Sequence, residues 1–96
     1  MSKVTVVAKL VARKDAVEMV KAEVLKMVEP TRLEPGCIEY RLHQDNENPA
    51  VFLFYENWEN LSCLKQHLNS THYQSYVAAV GDLLSEKIVN KMTEIA

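Results

Sequence analysis

EPGCIEYRLHQDNENPAVFLFYENWENLSCLKQHLNSTHYQSY, residues 34–76, carries the reading that decides the fold. It opens on a turn. Pro35 presets one backbone angle and Gly36 can supply the positive φ that a type II turn requires. CIEYRLHQ then alternates, with Ile38, Tyr40 and Leu42 on one face and Glu39, Arg41 and His43 on the other, the period of a strand. DNENP is a polar turn, and the run from Val51 to Trp58 is a second strand, so the two form an antiparallel hairpin.

The second strand of that hairpin is apolar on both faces. Phe52, Phe54, Glu56 and Trp58 share one side; Val51, Leu53, Tyr55 and Asn57 share the other. Helices can cover only one side, so the other is expected to meet a second subunit. After the hairpin, Asn60 can cap a short helix carrying Leu61, Leu64 and Leu68. A further helix carries Tyr73, Tyr76, Val77 and Val80; Thr71 followed by Gln74 fits a capping box, which makes His72 the first helical residue.

Upstream, residues 3–12 (KVTVVAKLVA) alternate Val4, Val6, Ala8 and Leu10 on one face and read as a strand. Asp15 is a candidate cap for an amphipathic helix to Leu33, with Val17, Val20, Val24, Met27 and Val28 at helical spacing and a disturbance expected at Pro30. Downstream, EKIVNKMTEI (residues 86–95) reads as a last strand. The order strand, helix, strand, strand, helical pair, strand predicts an α+β, ferredoxin-like βαββαβ fold: a single domain over residues 1–96, an antiparallel sheet with helices on one face.

Composition excludes several classes. With 11 Lys+Arg against 13 Asp+Glu, the net charge of −2 leaves no basic stripe for nucleic acid. No apolar run approaches the roughly 20 residues of a membrane span, and the N-terminus lacks the pattern of a signal peptide, so a cytoplasmic location is expected. Cys37 and Cys63 are read as buried free thiols.

Glu56 is the anomaly, a carboxylate among Phe and Trp neighbours that must find a donor or a raised pKa. His67 and His72 stand five apart, about 140° of rotation on a continuous helix, whereas zinc-binding helices use a separation of four. Spacing therefore argues against a metal site: five residues and the break signal at NSTHYQ separate the two histidines, and no cluster of Cys, His and Asp supplies the remaining ligands. A neutral histidine there can serve as a base, and the structural alternative, a hydrogen-bonded core histidine, stands beside it.

These residues resemble the antibiotic biosynthesis monooxygenase family, and within it the quinol-monooxygenase-like group. The ordered set is Glu34, Pro35, Gly36, Cys37, then Tyr40, Pro49, Phe52, Glu56, Trp58, Leu64, His67 and His72. The resemblance implies a homodimer whose two sheets pack into an α/β barrel, with a pocket between sheet and helices lined by Phe52, Phe54, Glu56, Trp58, His67 and His72, and more weakly by Tyr40. It implies a small aromatic, quinol-like substrate oxidised by O2 without a cofactor. On that reading His72 or His67 is the base, Glu56 orients it or a substrate hydroxyl, and Trp58, Phe52 and Phe54 hold a flat ring, with Tyr40 a possible donor. Haem-degrading relatives look different: they use an asparagine in the first strand, which KVTVVAKLVA lacks. An isomerase of a small metabolite is the rival, needing Arg32, Arg41 or Lys65 at the pocket if the substrate is phosphorylated; a non-catalytic dimeric binding or stress-response module is the third reading.

Overall fold

The computed structural model describes residues 3–96. Strand β1 (Val4–Ala12) leads to helix α1 (Val17–Arg32), strands β2 (Cys37–Gln44) and β3 (Val51–Trp58), helices α2 (Leu61–Leu68) and α3 (Thr71–Val80), a short 3-10 turn (Gly81–Leu83) and strand β4 (Leu84–Met92). The sheet runs β2-β3-β1-β4 with every pair antiparallel. This is the ferredoxin-like α+β fold, three helices and a four-stranded sheet.

The period-2 pattern sorts the sheet into a covered face and an open one. Val6, Ala8, Leu10 and Ala12 of β1 and Phe52, Phe54, Glu56 and Trp58 of β3 are all buried beneath the helices. They meet Val20, Val24 and Met27 from α1, Leu64 from α2 and Tyr76 and Val80 from α3. Burying side chains of this size is worth roughly 1.5–3 kcal/mol each, so one face of each helix and one face of the sheet hold the molecule together. On the open face, Tyr55 stands opposite Val7, and Lys9 lies between Leu53 and Ile88. Tyr55, Ile88 and Met92 remain 37%, 45% and 47% exposed there.

Local chemistry departs from the sequence reading in five places. Asp15 does not cap α1: the N-cap is Ala16, which is buried in the core and makes no side-chain bond. Burying the alanine, with its N–H bonded to the Arg13 carbonyl, fixes the entry in place of a capping carboxylate. Helix α1 runs through Pro30 to Arg32, because a proline this close to the C-terminus removes only one helical donor. Ile38 is not on the buried face of β2. A register shift between Cys37 and Glu39 sets it outside the ladder and leaves it exposed. Helix α3 is capped by Ser70, whose Oγ accepts from the Tyr73 N–H at 3.2 Å, so Thr71 is the first helical residue and His72 the second. Gln74 turns away from the expected box and donates to the Leu68 carbonyl at 2.8 Å. Finally, β4 begins at Leu84 and ends at Met92, shifted from residues 86–95.

Other local expectations hold. Asn60 caps α2 by accepting from the Cys63 N–H at 2.9 Å. Asp45 accepts from the Glu47 and Asn48 N–H groups and closes the β2–β3 turn. Gly36 has φ 81°, the value the EPGC turn needs. No helix of the described residues is long and apolar enough to cross a membrane.

Candidate active site

A cavity of about 50 Å³ lies between the covered face of the sheet and helices α2 and α3. That is room for a few water molecules. Its polar wall is made by Glu56, His67, Tyr40, Tyr73 and Tyr76, and Lys87 and Lys91 of β4 stand at its edge. Phe54, Val6 and Ala8 form the floor. Of the residues the sequence singled out, Tyr40, Phe54, Glu56 and His67 line this space. Phe52, Trp58 and His72 do not. Phe52 opens toward a different groove, beneath α1 with Leu42 and Val28. The two tyrosines of α3 and the two lysines of β4 enter instead. The tyrosines could have been found from the same-face spacing of Tyr73, Tyr76 and Val80, three and then four residues apart; the lysines depend on the pairing of β4 with β1, which no local pattern carries.

Trp58 is a support rather than a wall. Its indole is fully buried, donates from Nε1 to Glu56 Oε1 at 2.9 Å, and packs on His67 with ring centroids 4.8 Å apart. It thereby fixes two groups of the cavity at once. Glu56 is 5% exposed. Burial is the main cause that pushes its carboxyl up to about 7; the Trp58 hydrogen bond works the other way, and the Glu34 charge adds to the rise. At neutral pH such a group exchanges protons readily.

The carboxylate that organises the histidines is Glu34, not Glu56. Its Oε2 lies 2.7 Å from His67 Nδ1 and 2.6 Å from His72 Nε2. Helix α2 ends at Leu68 and α3 begins at Thr71. The change of direction brings together two histidines that a continuous helix would hold about 140° apart. The spacing argument fails because the break, read as separating the histidines, instead turns both toward Glu34. A carboxylate oxygen only accepts, so both facing ring nitrogens are donors. In neutral His67 the remaining nitrogen, Nε2, is then an acceptor. Burial holds His67 below its ordinary pKa, more strongly than the Glu34 bond and charge raise it, and His72 pushes in the same direction as burial. His67 is almost wholly buried, while the His72 side chain is 26% exposed.

The cysteines are free and half-buried. Burial and the nearby Glu34 raise the Cys37 thiol to about 11, which makes it a poor nucleophile. Burial also raises the Tyr40 and Tyr76 hydroxyls, so at neutral pH both are donors rather than anions. Arg32 and Arg41 face another groove with Cys37 and Glu39, Arg32 donating to the Tyr40 carbonyl at 3.0 Å and Arg41 to Glu39 at 2.6 Å. Lys65 is likewise not part of the cavity wall.

The arrangement is a small pocket of aromatic and titratable side chains on a ferredoxin-like scaffold, and the family model for antibiotic biosynthesis monooxygenase matches residues 3–79. The chain belongs to the antibiotic biosynthesis monooxygenase family. Among its relatives is the Mycobacterium tuberculosis protein Rv0793, provisionally named a monooxygenase, 36% identical over 87 residues, 91% of this chain and 85% of that protein. The solved structure of Rv0793 superposes with a TM-score of 0.93 at 31% identity, covering 99% of this chain and 97% of that one. The crystal structure of PA3566 from Pseudomonas aeruginosa gives a TM-score of 0.95 at 27% identity, covering 100% and 97%. A Synechocystis relative, sll1783, is 36% identical over 69 residues, 72% of this chain; the match spans about half, 47%, of that protein's length.

Proposed function

We propose that the chain is a monooxygenase that oxidises a quinol or related small phenol with O2, the substrate itself supplying the electrons. The observation that carries this reading is that Glu56, with its carboxyl pushed up to about 7, and His67 line one aromatic-walled cavity. A phenol becomes a far better reductant once deprotonated. Glu56 or His67 takes the hydroxyl proton, and the tyrosine hydroxyls donate to the forming anion. The anion and O2 combine at a ring carbon as a hydroperoxide. Loss of water leaves a new carbonyl, so one oxygen atom ends in the quinone and the other in water. The 50 Å³ cavity admits a ring only by parting its walls; its edge along β4 reaches solvent, where Val89 is 48% exposed.

The test is oxygen uptake by chelator-treated, metal-free protein with menadiol-like quinols, read above the spontaneous rate. Glu56→Gln and His67→Ala are each expected to slow it by about 10²-fold or more, the usual worth of a positioned acid or base. No acceleration by the wild-type protein sinks the reading.

Lys87 and Lys91 favour a second reading, proton transfer on a small anionic metabolite. The cations the sequence suggested, Arg32, Arg41 and Lys65, do not serve it; β4 does. Under anaerobic conditions in D2O this reading predicts deuterium entering a carbon of the substrate, which the oxygenase reading does not. A tightly filled cavity also suits the third, non-catalytic reading, which is left standing if neither assay turns over.

A homodimer is part of the proposal. Its support is the open face of the sheet, where Leu53, Tyr55, Ile88 and Met92 face outward without helices over them.

A further inference from the structure

The cluster of Glu34, His67 and His72 does more than position an imidazole. Two imidazoles and one carboxylate are the donor set of many zinc and non-haem iron sites. Here the three come from three separately anchored pieces of chain: the turn after α1, the end of α2 and the start of α3. Their ligand atoms all lie within 4.8 Å of one another. Among the described residues Glu34 pairs with no lysine or arginine, so no fixed cation occupies its charge.

We propose that Glu34, His67 and His72 form a binding site for one divalent first-row transition-metal ion, set beside the cavity rather than in it. Ligand bonds of about 2.0–2.1 Å in a tetrahedral site separate ligand atoms by about 3.3 Å. The present N–O distances are 2.7 and 2.6 Å. Binding therefore replaces the two shared protons and moves the side chains apart by well under 1 Å each, a rotamer-scale adjustment. His72 and Glu34 are partly exposed, and that side provides the entry path and the remaining, water-filled positions. The positive end of α3 lies near His72 and opposes a cation; the Glu34 carboxylate is the group that offsets it.

Occupation has a consequence for the cavity. With a metal on His67 Nδ1, the ring proton must sit on Nε2. The cavity-lining histidine changes from acceptor to donor. The site stands independently of the oxygenase reading, because it is tested on resting protein without substrate.

The experiment uses tag-free, chelator-treated protein titrated with Zn2+ by calorimetry and with Co2+ by visible absorption. Wild type is expected to bind one equivalent per chain, with the ligand-field bands of mixed nitrogen and oxygen coordination. Glu34→Gln and His72→Ala are each expected to weaken binding by at least about tenfold, the lower end of what even an indirect contact to a ligand is worth. Both sites are partly exposed, so both variants fold; His43→Ala, in the exposed part of β2, is the control expected to bind as wild type. Ring-nitrogen NMR of His67 is expected to show the proton moving from Nδ1 to Nε2 as Zn2+ is added. Absence of binding, or binding that survives intact in both Glu34→Gln and His72→Ala, overturns the proposal.

Discussion

Glu56 puts a measurable pH dependence into the stability of the protein. Its carboxyl is held protonated up to about 7 in the folded chain, against 4.5 when exposed. Between those values the native state binds the extra proton, so stability falls as pH rises through the window and the loss is complete above it. At about 1.4 kcal/mol per pH unit, the full loss is at most about 3.5 kcal/mol. Glu56→Gln keeps an oxygen for the Trp58 N–H but cannot ionise. Urea unfolding is expected to show the variant close to wild type at pH 5 and more stable at pH 8; an equal difference at both pH values contradicts the assignment. Glu56 was legible from sequence because a charge inside an alternating apolar strand is anomalous by itself. Glu34 was not. Its partners are 33 and 38 residues away, and as the first residue of a turn it has an unremarkable local role. Trp58 shows the opposite failure: a large aromatic on the right face was read as a wall when burial made it the layer beneath.

At the scale of elements, the break between α2 and α3 is what assembles the cluster, and Ser70 holds it. The Ser70 Oγ accepts from the Tyr73 N–H and donates to the His67 carbonyl at 2.7 Å. One hydroxyl ends one helix and starts the next. Ser70→Ala is expected to cost about 1–2 kcal/mol in chemical denaturation, at the upper part of the range for a lost N-cap because a second hydrogen bond, to the His67 carbonyl, is lost with it. Asn60→Ala, which removes a cap with no such second bond, is expected to cost less; the reverse order refutes the dual role. Both strands of the hairpin and all three helices were readable from periodicity. The chemistry at their ends was less so, because Asp15, Thr71 and Gln74 are adequate capping residues; Ala16 wins by burial in the core, and Ser70 by bonding both helices with one hydroxyl.

At the scale of the molecule, coverage is lopsided: helices bury one face of the sheet and leave Val7, Leu53, Tyr55 and Ile88 on the other. Light scattering is expected to give twice the 11.0 kDa chain mass. Tyr55→Glu, set between Val7 and Arg41 where its charge has a partner in the monomer, is expected to return it to one chain mass with the fold intact by circular dichroism. A monomeric wild type removes the homodimer from the proposal. The other large-scale feature is the seating of the EPGC turn. A methyl at Gly36 would lie 2.3 Å from Cys63 Sγ and 2.7 Å from its Cβ, so the turn rests directly on α2. No sheet ladder joins Glu34 to the two histidines. The Gly36–Cys63 contact, with the Glu59 N–H on the Gly36 carbonyl at 2.9 Å, is what sets their spacing. The cluster thus works to a mechanical tolerance held by the smallest side chain in the chain, and any thickening at residue 36 is transmitted as a gap at Glu34.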